Sequence, residues 1–131
     1  AHGGFSTFNK SELFLINIDK NKIKEFPINV FTIFNMRFIF SGGGYFRLLP
    51  YKLINKLFKK SNYVMTYFHP RDFDYEQPVI PNLSLFRKFK SYVGLKYAFD
   101  KLDRLITDFE FIDLKEADQR VDWERISNIY L

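Results

Sequence analysis

The chain has 131 residues and a formal net charge of +5, and 47% of its residues are hydrophobic. This length fits a single domain over residues 1–131, and the composition is typical of a folded chain with a sizeable core. Because the sequence has no cysteine, disulfide scaffolds, thiolate zinc sites and cysteine nucleophiles are excluded. No apolar run approaches the roughly 18 residues of a membrane-spanning helix, so we expect no membrane span.

The pattern of the first 40 residues predicts β-strands. A short apolar run predicts a strand over residues 13–18, and the polar residues 19–22 that follow predict a turn. Alternating apolar residues predict a second strand over residues 25–33, with Pro27 placing its start at an edge or a bulge. A third short strand is predicted over residues 37–40.

The rest of the chain predicts helices around further strands. Three successive glycines at residues 42–44 form the strongest break, because glycine adopts backbone conformations that other residues avoid. Strands mixed with helices indicate an α/β arrangement. The predicted elements are a helix over 48–60, a strand over 63–68, an irregular loop over 71–82, helices over 84–92 and 96–108, a strand over 110–114 and an amphipathic, helical tail over 117–131.

The charges are unevenly divided along the chain. Residues 1–99 carry 15 basic and 6 acidic side chains, whereas residues 100–131 carry 5 basic and 9 acidic ones. Residues 47–71 contain six cations and no acid. Such a stretch can attract an anionic polymer, although a solvated helix face is the simpler explanation. We expect no nucleic-acid partner, because no RNA-binding motif accompanies the basic residues.

His69 is the best single candidate for catalysis. The sequence contains no His-x-x-x-His, Gly-x-Ser-x-Gly or phosphate-loop motif, and its other histidine is His2. His69 ends the predicted strand over 63–68, where α/β folds place ligand-contacting side chains. Imidazole titrates near neutral pH and can protonate a leaving group. A structural histidine bonded to a loop carbonyl is the alternative, and turn chemistry is the favoured role of Asp72 and Asp74.

Tyr45, Phe46 and Arg47 directly follow the glycines and form a second candidate group. Aromatic faces beside polar groups suit sugar rings, whose C–H faces stack on them. Ordinary core packing explains the same residues equally well, and both explanations stay open on this pattern alone.

Two blocks of the sequence resemble a known family. They are Ser-Gly-Gly-Gly-Tyr-Phe-Arg-Leu-Leu-Pro-Tyr over residues 41–51 and Tyr-Phe-His-Pro-Arg-Asp-Phe-Asp-Tyr-Glu-Gln-Pro over residues 67–78. Their order and spacing resemble the C-terminal part of bacterial polysaccharide deacetylases, the NodB-homology group, in the branch associated with exopolysaccharide and capsule synthesis. The resemblance spans most of residues 1–112 and leaves residues 113–131 uncovered. Shorter matches lie at residues 2–4, 25–27 and 86–95.

The resemblance implies a deformed (β/α) barrel, of which this chain forms the C-terminal portion. It also implies a divalent, zinc-like metal whose bound water attacks the N-acetyl group of a sugar. His69 matches the general acid of the family, and Tyr45, Phe46 and Arg47 fall where a substrate groove is expected. The metal-binding motifs of the family have no counterpart in this sequence. We therefore expect the metal ligands upstream of Ala1, no metal cofactor in this chain, and no activity from the chain alone.

Two functions of different classes follow from these patterns. In the first, the chain is the C-terminal part of a metal-dependent sugar deacetylase. In the second, it is a non-catalytic module that binds a polysaccharide or a partner in exopolysaccharide synthesis. The expected partners are a polysaccharide or amino-sugar substrate, together with the missing N-terminal half or a second copy of the chain. Either protein partner would cover apolar surface that a half-barrel exposes.

Overall fold

The computed structural model describes residues 12–33 and 35–130 of the chain. These residues form a mixed α/β fold with two small sheets and several helices, which confirms the predicted α/β class. Short 3₁₀ turns lie at Pro70–Asp72 and Leu95–Tyr97. The elements are β1 (Phe14–Ile18), β2 (Asn21–Glu25), β3 (Val30–Ile33), β4 (Met36–Ile39), α1 (Gly43–Leu48), α2 (Tyr51–Lys60), α3 (Leu85–Tyr92), α4 (Ala98–Asp108), α5 (Leu114–Arg120) and β5 (Ser127–Tyr130).

The larger sheet has the strand order β2-β1-β5. β1 and β2 form an antiparallel hairpin, in which Asp19 turns the chain with a φ of 52°. This confirms the strand predicted over residues 13–18. β5 pairs in parallel with the other edge of β1, with Ser127 opposite Phe14. The predicted helical tail is therefore wrong for its last residues, which form a strand.

The smaller sheet is the antiparallel hairpin β3–β4. The single strand predicted over residues 25–33 is wrong, because residues 26–29 interrupt it between β2 and β3. Pro27 lies in this interruption and lacks the N–H that a strand ladder needs. The strand predicted over residues 37–40 is confirmed as β4.

The strand predicted over residues 63–68 is wrong, because none of these residues belongs to either sheet. The buried side chain of Asn29 forms hydrogen bonds with the main chain of this segment. Its Nδ2 donates to the carbonyl oxygen of Tyr63 at 2.9 Å, and its Oδ1 accepts from the N–H of Met65 at 2.8 Å. Further along, Tyr67 forms an isolated parallel bridge with Gly42.

The core lies between α1, α2, α4 and the residue that directly follows β4. The helix predicted over residues 48–60 is confirmed as α2, which begins at Tyr51, whereas the short helix α1 before it was not predicted; Leu49 and Pro50 separate the two. Pro50 has no N–H to continue the helical ladder and instead precedes the first turn of α2. Buried apolar and aromatic side chains cluster here: Phe40, Phe46, Tyr51, Ile54, Phe58 and Leu105.

The helices predicted over 84–92 and 96–108 are confirmed as α3 and α4, with the 3₁₀ turn preceding α4. The strand predicted over 110–114 is wrong. The Oδ1 of Asp113 accepts a hydrogen bond from the N–H of Glu116 at 2.8 Å and caps α5 instead. In the described residues, no helix is long and apolar enough to cross a membrane.

Candidate functional site

His69 lies at the end of the extended segment 63–68 and is exposed. Two residues before it, Tyr67 is 54% exposed. Residues two positions apart point to the same side of an extended chain. The rings of Tyr67 and His69 accordingly meet edge to face, with their centroids 4.9 Å apart. The candidate site is therefore an imidazole beside an exposed aromatic ring.

Gly42 allows the main chain before His69 to approach α1. A Cβ atom on Gly42 would lie 2.1 Å from the carbonyl oxygen of Tyr67. In addition, the N–H of Tyr67 donates to the carbonyl oxygen of Ser41 at 3.2 Å. The glycine block (residues 41–51) and the His-Pro block (residues 67–78) are thus in direct main-chain contact.

Arg47 connects this region to the end of α3. The side chain of Arg47 is buried, and its Nη1 and Nη2 donate to the carbonyl oxygens of Ser91 and Lys90 at 2.8 and 3.2 Å. Its Nε lies 3.6 Å from Oδ1 of buried Asp72, which is an ion-pair distance. Burial lowers the pKa of Arg47 from its usual value, an effect that the charge of Asp72 opposes.

The carbonyl groups at the end of α1 also accept hydrogen bonds from a half-buried cation. Nζ of Lys101, on α4, donates to the carbonyl oxygens of Phe46 at 3.2 Å, Arg47 at 2.5 Å and Leu49 at 2.8 Å. Burial lowers the pKa of Lys101. Gly94 lies against the main chain of Arg47, because a Cβ atom on Gly94 would lie 2.4 Å from the carbonyl oxygen of Arg47. The φ of Gly94 is 70°, a backbone conformation that residues with a side chain rarely adopt, so this position favours glycine for a second reason.

The three residues predicted to form a substrate groove have different environments. Tyr45 is half-buried, and its ring lies edge-on to Phe38 with the centroids 5.2 Å apart. Phe46 is fully buried and packs against Phe68, whereas Arg47 is held by main-chain carbonyls inside the protein. Only Tyr45 among them offers surface to a ligand directly. The substrate-binding role of all three stays a prediction.

Tyr67 is the aromatic residue that the sequence analysis did not single out. The signal was available, since a two-residue spacing in an extended segment places its ring on the same side as His69.

The described residues do not fit a metal ion. Among them, no three His, Asp or Glu side chains come together as a metal-binding group. Near His69, the carboxylate of Asp72 faces Arg47, and Oδ1 of Asp74 accepts from the N–H of Glu76 at 3.1 Å. The latter contact is the turn chemistry predicted for Asp74. We therefore derive no chemical step through a metal on this chain.

Two cavities lie elsewhere in the described part of the chain. One is a groove of about 1190 Å³ between the segment 62–66 and the residues around α5. The other is a shallow cavity of about 600 Å³ beside Trp123 and β2. His69 and Tyr67 line neither of them. The candidate site lies on the surface, since Tyr67 is 54% exposed and His69 is exposed.

Comparisons with known proteins address the family of the chain. No curated protein matches it, and no solved structure matches it. A family model described as a domain of unknown function, DUF3473, matches residues 1–119. The match includes the glycine block, the His-Pro block and all of α3 and α4, and it ends within α5. The chain belongs to the DUF3473 family.

Proposed function

We propose that this chain is the C-terminal part of a polysaccharide deacetylase, in which His69 protonates the amine that leaves when an N-acetyl group is removed from a sugar. The observation that carries the proposal is the convergence of the two resembling blocks with the shorter match at residues 86–95. The glycine block, the His-Pro block and the end of α3 meet at Gly42 and Arg47. This convergence supports one site rather than three unrelated motifs.

The proposed fold is the C-terminal portion of a deformed (β/α) barrel. The parallel bridge between Gly42 and Tyr67 is the arrangement expected of two neighbouring barrel strands. Catalytic residues of such barrels lie at the ends of strands, and His69 lies just beyond this bridge.

Hydrolysis of an N-acetyl group produces acetate and a free amine. The nitrogen must receive a proton as its bond to the carbonyl carbon breaks, because an amide anion is a poor leaving group. In this proposal the imidazolium of His69 donates that proton. The resemblance implies that a metal activates the attacking water, and no three potential ligands come together in the described residues. The proposal therefore assigns this chain only the proton-donating part of the reaction.

Tyr67 is the proposed contact for the sugar ring. Its exposed face lies beside His69, and an aromatic ring can stack on the C–H face of a sugar. Tyr45 is the second proposed contact, whereas Phe46 and Arg47 support the site from inside. The main-chain bridge to Gly42 uses no atom of the Tyr67 side chain, so this side chain can be truncated without removing the bridge.

The test is a deacetylation assay on the protein isolated from its own cells, with N-acetylated glucosamine and galactosamine polymers as substrates and acetate release as the readout. We expect chelator-sensitive acetate release. His69→Ala should lower kcat by about 10²–10⁴-fold, the usual contribution of a general acid. Tyr67→Ala should mainly raise KM.

Tyr130→Ala is the matched control for Tyr67→Ala, because Tyr130 is an exposed tyrosine on β5 at the edge of the larger sheet. It should leave both kcat and KM unchanged. A His69→Ala protein that retains wild-type kcat would exclude the general-acid role.

The non-catalytic alternative is a module that binds a polysaccharide or a protein partner. The observation that favours it is the exposed apolar face of α3, where Leu85, Phe86 and Phe89 contact little of the described chain. Polymer binding without any acetate release, abolished by Tyr67→Ala but not by His69→Ala, would support this alternative over the deacetylase.

A further inference from the structure

The main chain at His69 is held by Asp72. Oδ2 of Asp72 accepts from the N–H of His69 at 3.0 Å, and the N–H of Asp72 donates to the carbonyl oxygen of His69 at 2.8 Å. Both backbone polar groups of His69 are therefore bonded to one residue. Pro70 follows directly and fixes its own φ, which further restricts the turn.

The carboxylate of Asp72 is held in turn by Arg47. Asp72 is 5% exposed and Arg47 is 6% exposed. The two terminal nitrogens of Arg47 are bonded to the carbonyl oxygens of Lys90 and Ser91, so the planar guanidinium cannot turn away from Asp72. The position of His69 is thereby fixed with respect to α1 and α3 as well as to its own turn.

A buried ion pair generally adds little to the stability of a fold. Removing two charges from water costs several kcal/mol, and apolar residues of similar volume often serve as well or better. What this pair adds is a defined geometry: Nε of Arg47 faces Oδ1 of Asp72 at 3.6 Å without a hydrogen bond, and the terminal nitrogens, bonded to main-chain carbonyls, keep the guanidinium in that orientation. The location of this pair, one turn from the exposed imidazole, is where a defined geometry affects catalysis.

We infer that Asp72 and Arg47 are positioning residues, which act on the reaction only by holding His69 where its imidazole can reach the leaving nitrogen. This inference rests on the proposed function. It assigns neither residue a contact with substrate, in agreement with their burial.

A double-mutant cycle in the deacetylation assay separates this role from a general effect on folding. Asp72→Asn keeps an oxygen that can accept from the N–H of His69 but removes the charge facing Arg47. We expect it to lower kcat by about 10–100-fold with KM within twofold, as small displacements of a reacting group do. In a protein that already carries His69→Ala, Asp72→Asn should cause no further loss of kcat.

Asp74→Asn is the matched control. It makes the same chemical change two residues away, at an exposed carboxylate that contacts the N–H of Glu76 and not His69. It should leave kcat unchanged in both backgrounds. An equal loss from Asp72→Asn in the presence and the absence of His69 would overturn the inference, because Asp72 would then act on the fold alone.

A second measurement does not depend on catalysis. In the 131-residue chain, His2→Gln leaves His69 as the one remaining imidazole, and its contact with Tyr67 gives an NMR cross-relaxation signal between the two rings. Asp72→Asn should reduce this signal at least twofold while the chain stays folded by circular dichroism, and Asp74→Asn should preserve it. If Asp72→Asn unfolds the chain, Arg47→Lys replaces it, since lysine keeps the charge but not the three contacts.

The two measurements separate failure of the inference from failure of the proposed function. Full kcat in His69→Ala, or no acetate release by the wild type, rejects the general-acid role. In that case the NMR signal between the rings of His69 and Tyr67 alone tests whether Asp72 and Arg47 position His69. An unchanged signal in Asp72→Asn, or in its substitute Arg47→Lys, overturns the inference whatever the assay shows.

Discussion

Charged side chains are used differently in two regions of the molecule. Around α1, Arg47 and Lys101 are turned inward and donate to main-chain carbonyls. At the sheet β2-β1-β5 and α5, the ion pairs lie on the surface. There Lys24 and Asp118 are 2.6 Å apart, with side chains 44% and 39% exposed.

This difference predicts that the region around α1 tolerates substitutions of its charged residues less well than the larger sheet and α5 do. A buried charge that loses its partner stays desolvated, whereas an exposed charge recovers water when its partner is removed. The inward-facing region contains the candidate site, and the tolerant region lies outside it. Substitutions should therefore have large effects near α1 and small ones near the sheet.

The largest expected effect is that of Arg47→Met. It leaves the carboxylate of Asp72 buried without a cation, which costs about 3–5 kcal/mol in the free energy of unfolding. The control is Arg125→Met, because Arg125 is paired with Asp122 but its side chain is 87% exposed. That change should cost less than about 1 kcal/mol. Urea unfolding followed by circular dichroism measures both, and equal losses would remove the distinction between the two regions.

Two alanine substitutions within the glycine block should change the free energy of unfolding in opposite directions, and by less than Arg47→Met does. Gly42→Ala forces a methyl group against the carbonyl oxygen of Tyr67 and should destabilise the chain by about 1–3 kcal/mol. Gly44, two residues later in α1, meets only ordinary contacts at 3.5 Å and beyond. Gly44→Ala should stabilise the chain by about 0.4–1 kcal/mol. Melting temperatures that fall for both variants would show that α1 tolerates no added methyl group.

The smallest expected effect is that of Asp118→Asn, and it depends on pH. The hydrogen bond from Lys24 lowers the pKa of Asp118. A lowered folded-state pKa means that the carboxylate stabilises the fold above the usual aspartate pKa of about 3.9 and loses this contribution as the pH falls through the folded-state value. Wild type and variant should differ in melting temperature at pH 7 and converge in strong acid.

The control for this pH dependence is Lys24→Met, which removes the donor. In that background Asp118→Asn should change the melting temperature little at any pH. A difference between the wild type and the Asp118→Asn variant that persists in acid would show that the side chain acts through packing rather than charge.

Local patterns were sufficient for elements that have a clear apolar spacing of their own. The strands β1 and β4 and the helices α3 and α4 follow from apolar spacing, and Ser84 marks the start of α3, where its Oγ accepts from the N–H of Arg87. The extended segment 63–68 was predicted as a strand because its composition fits one. Its bonding partner is the side chain of Asn29, which no local pattern indicates.

The position of His69 could be predicted from the sequence, but the burial of Arg47 behind it could not. His69 was identified from its place before Pro70 at the end of an extended segment, and the structure leaves it exposed there. The burial of Arg47 could not be predicted, because the carbonyls of Lys90 and Ser91 that receive its hydrogen bonds come from a distant helix. Charge burial is a property of the assembled fold, whereas apolar spacing is a property of the local sequence.

The pairing of β5 with β1 has a consequence for how the chain folds. Asn17 and Asn128, whose side chains are hydrogen-bonded across these strands, are 111 positions apart in the sequence. Contacts of such long range close a large loop and slow folding. On the ribosome, this edge of β1 stays unpaired until β5 has emerged. During that interval the edge is a template for strands of other chains, so folding yield should fall as the concentration of nascent protein rises.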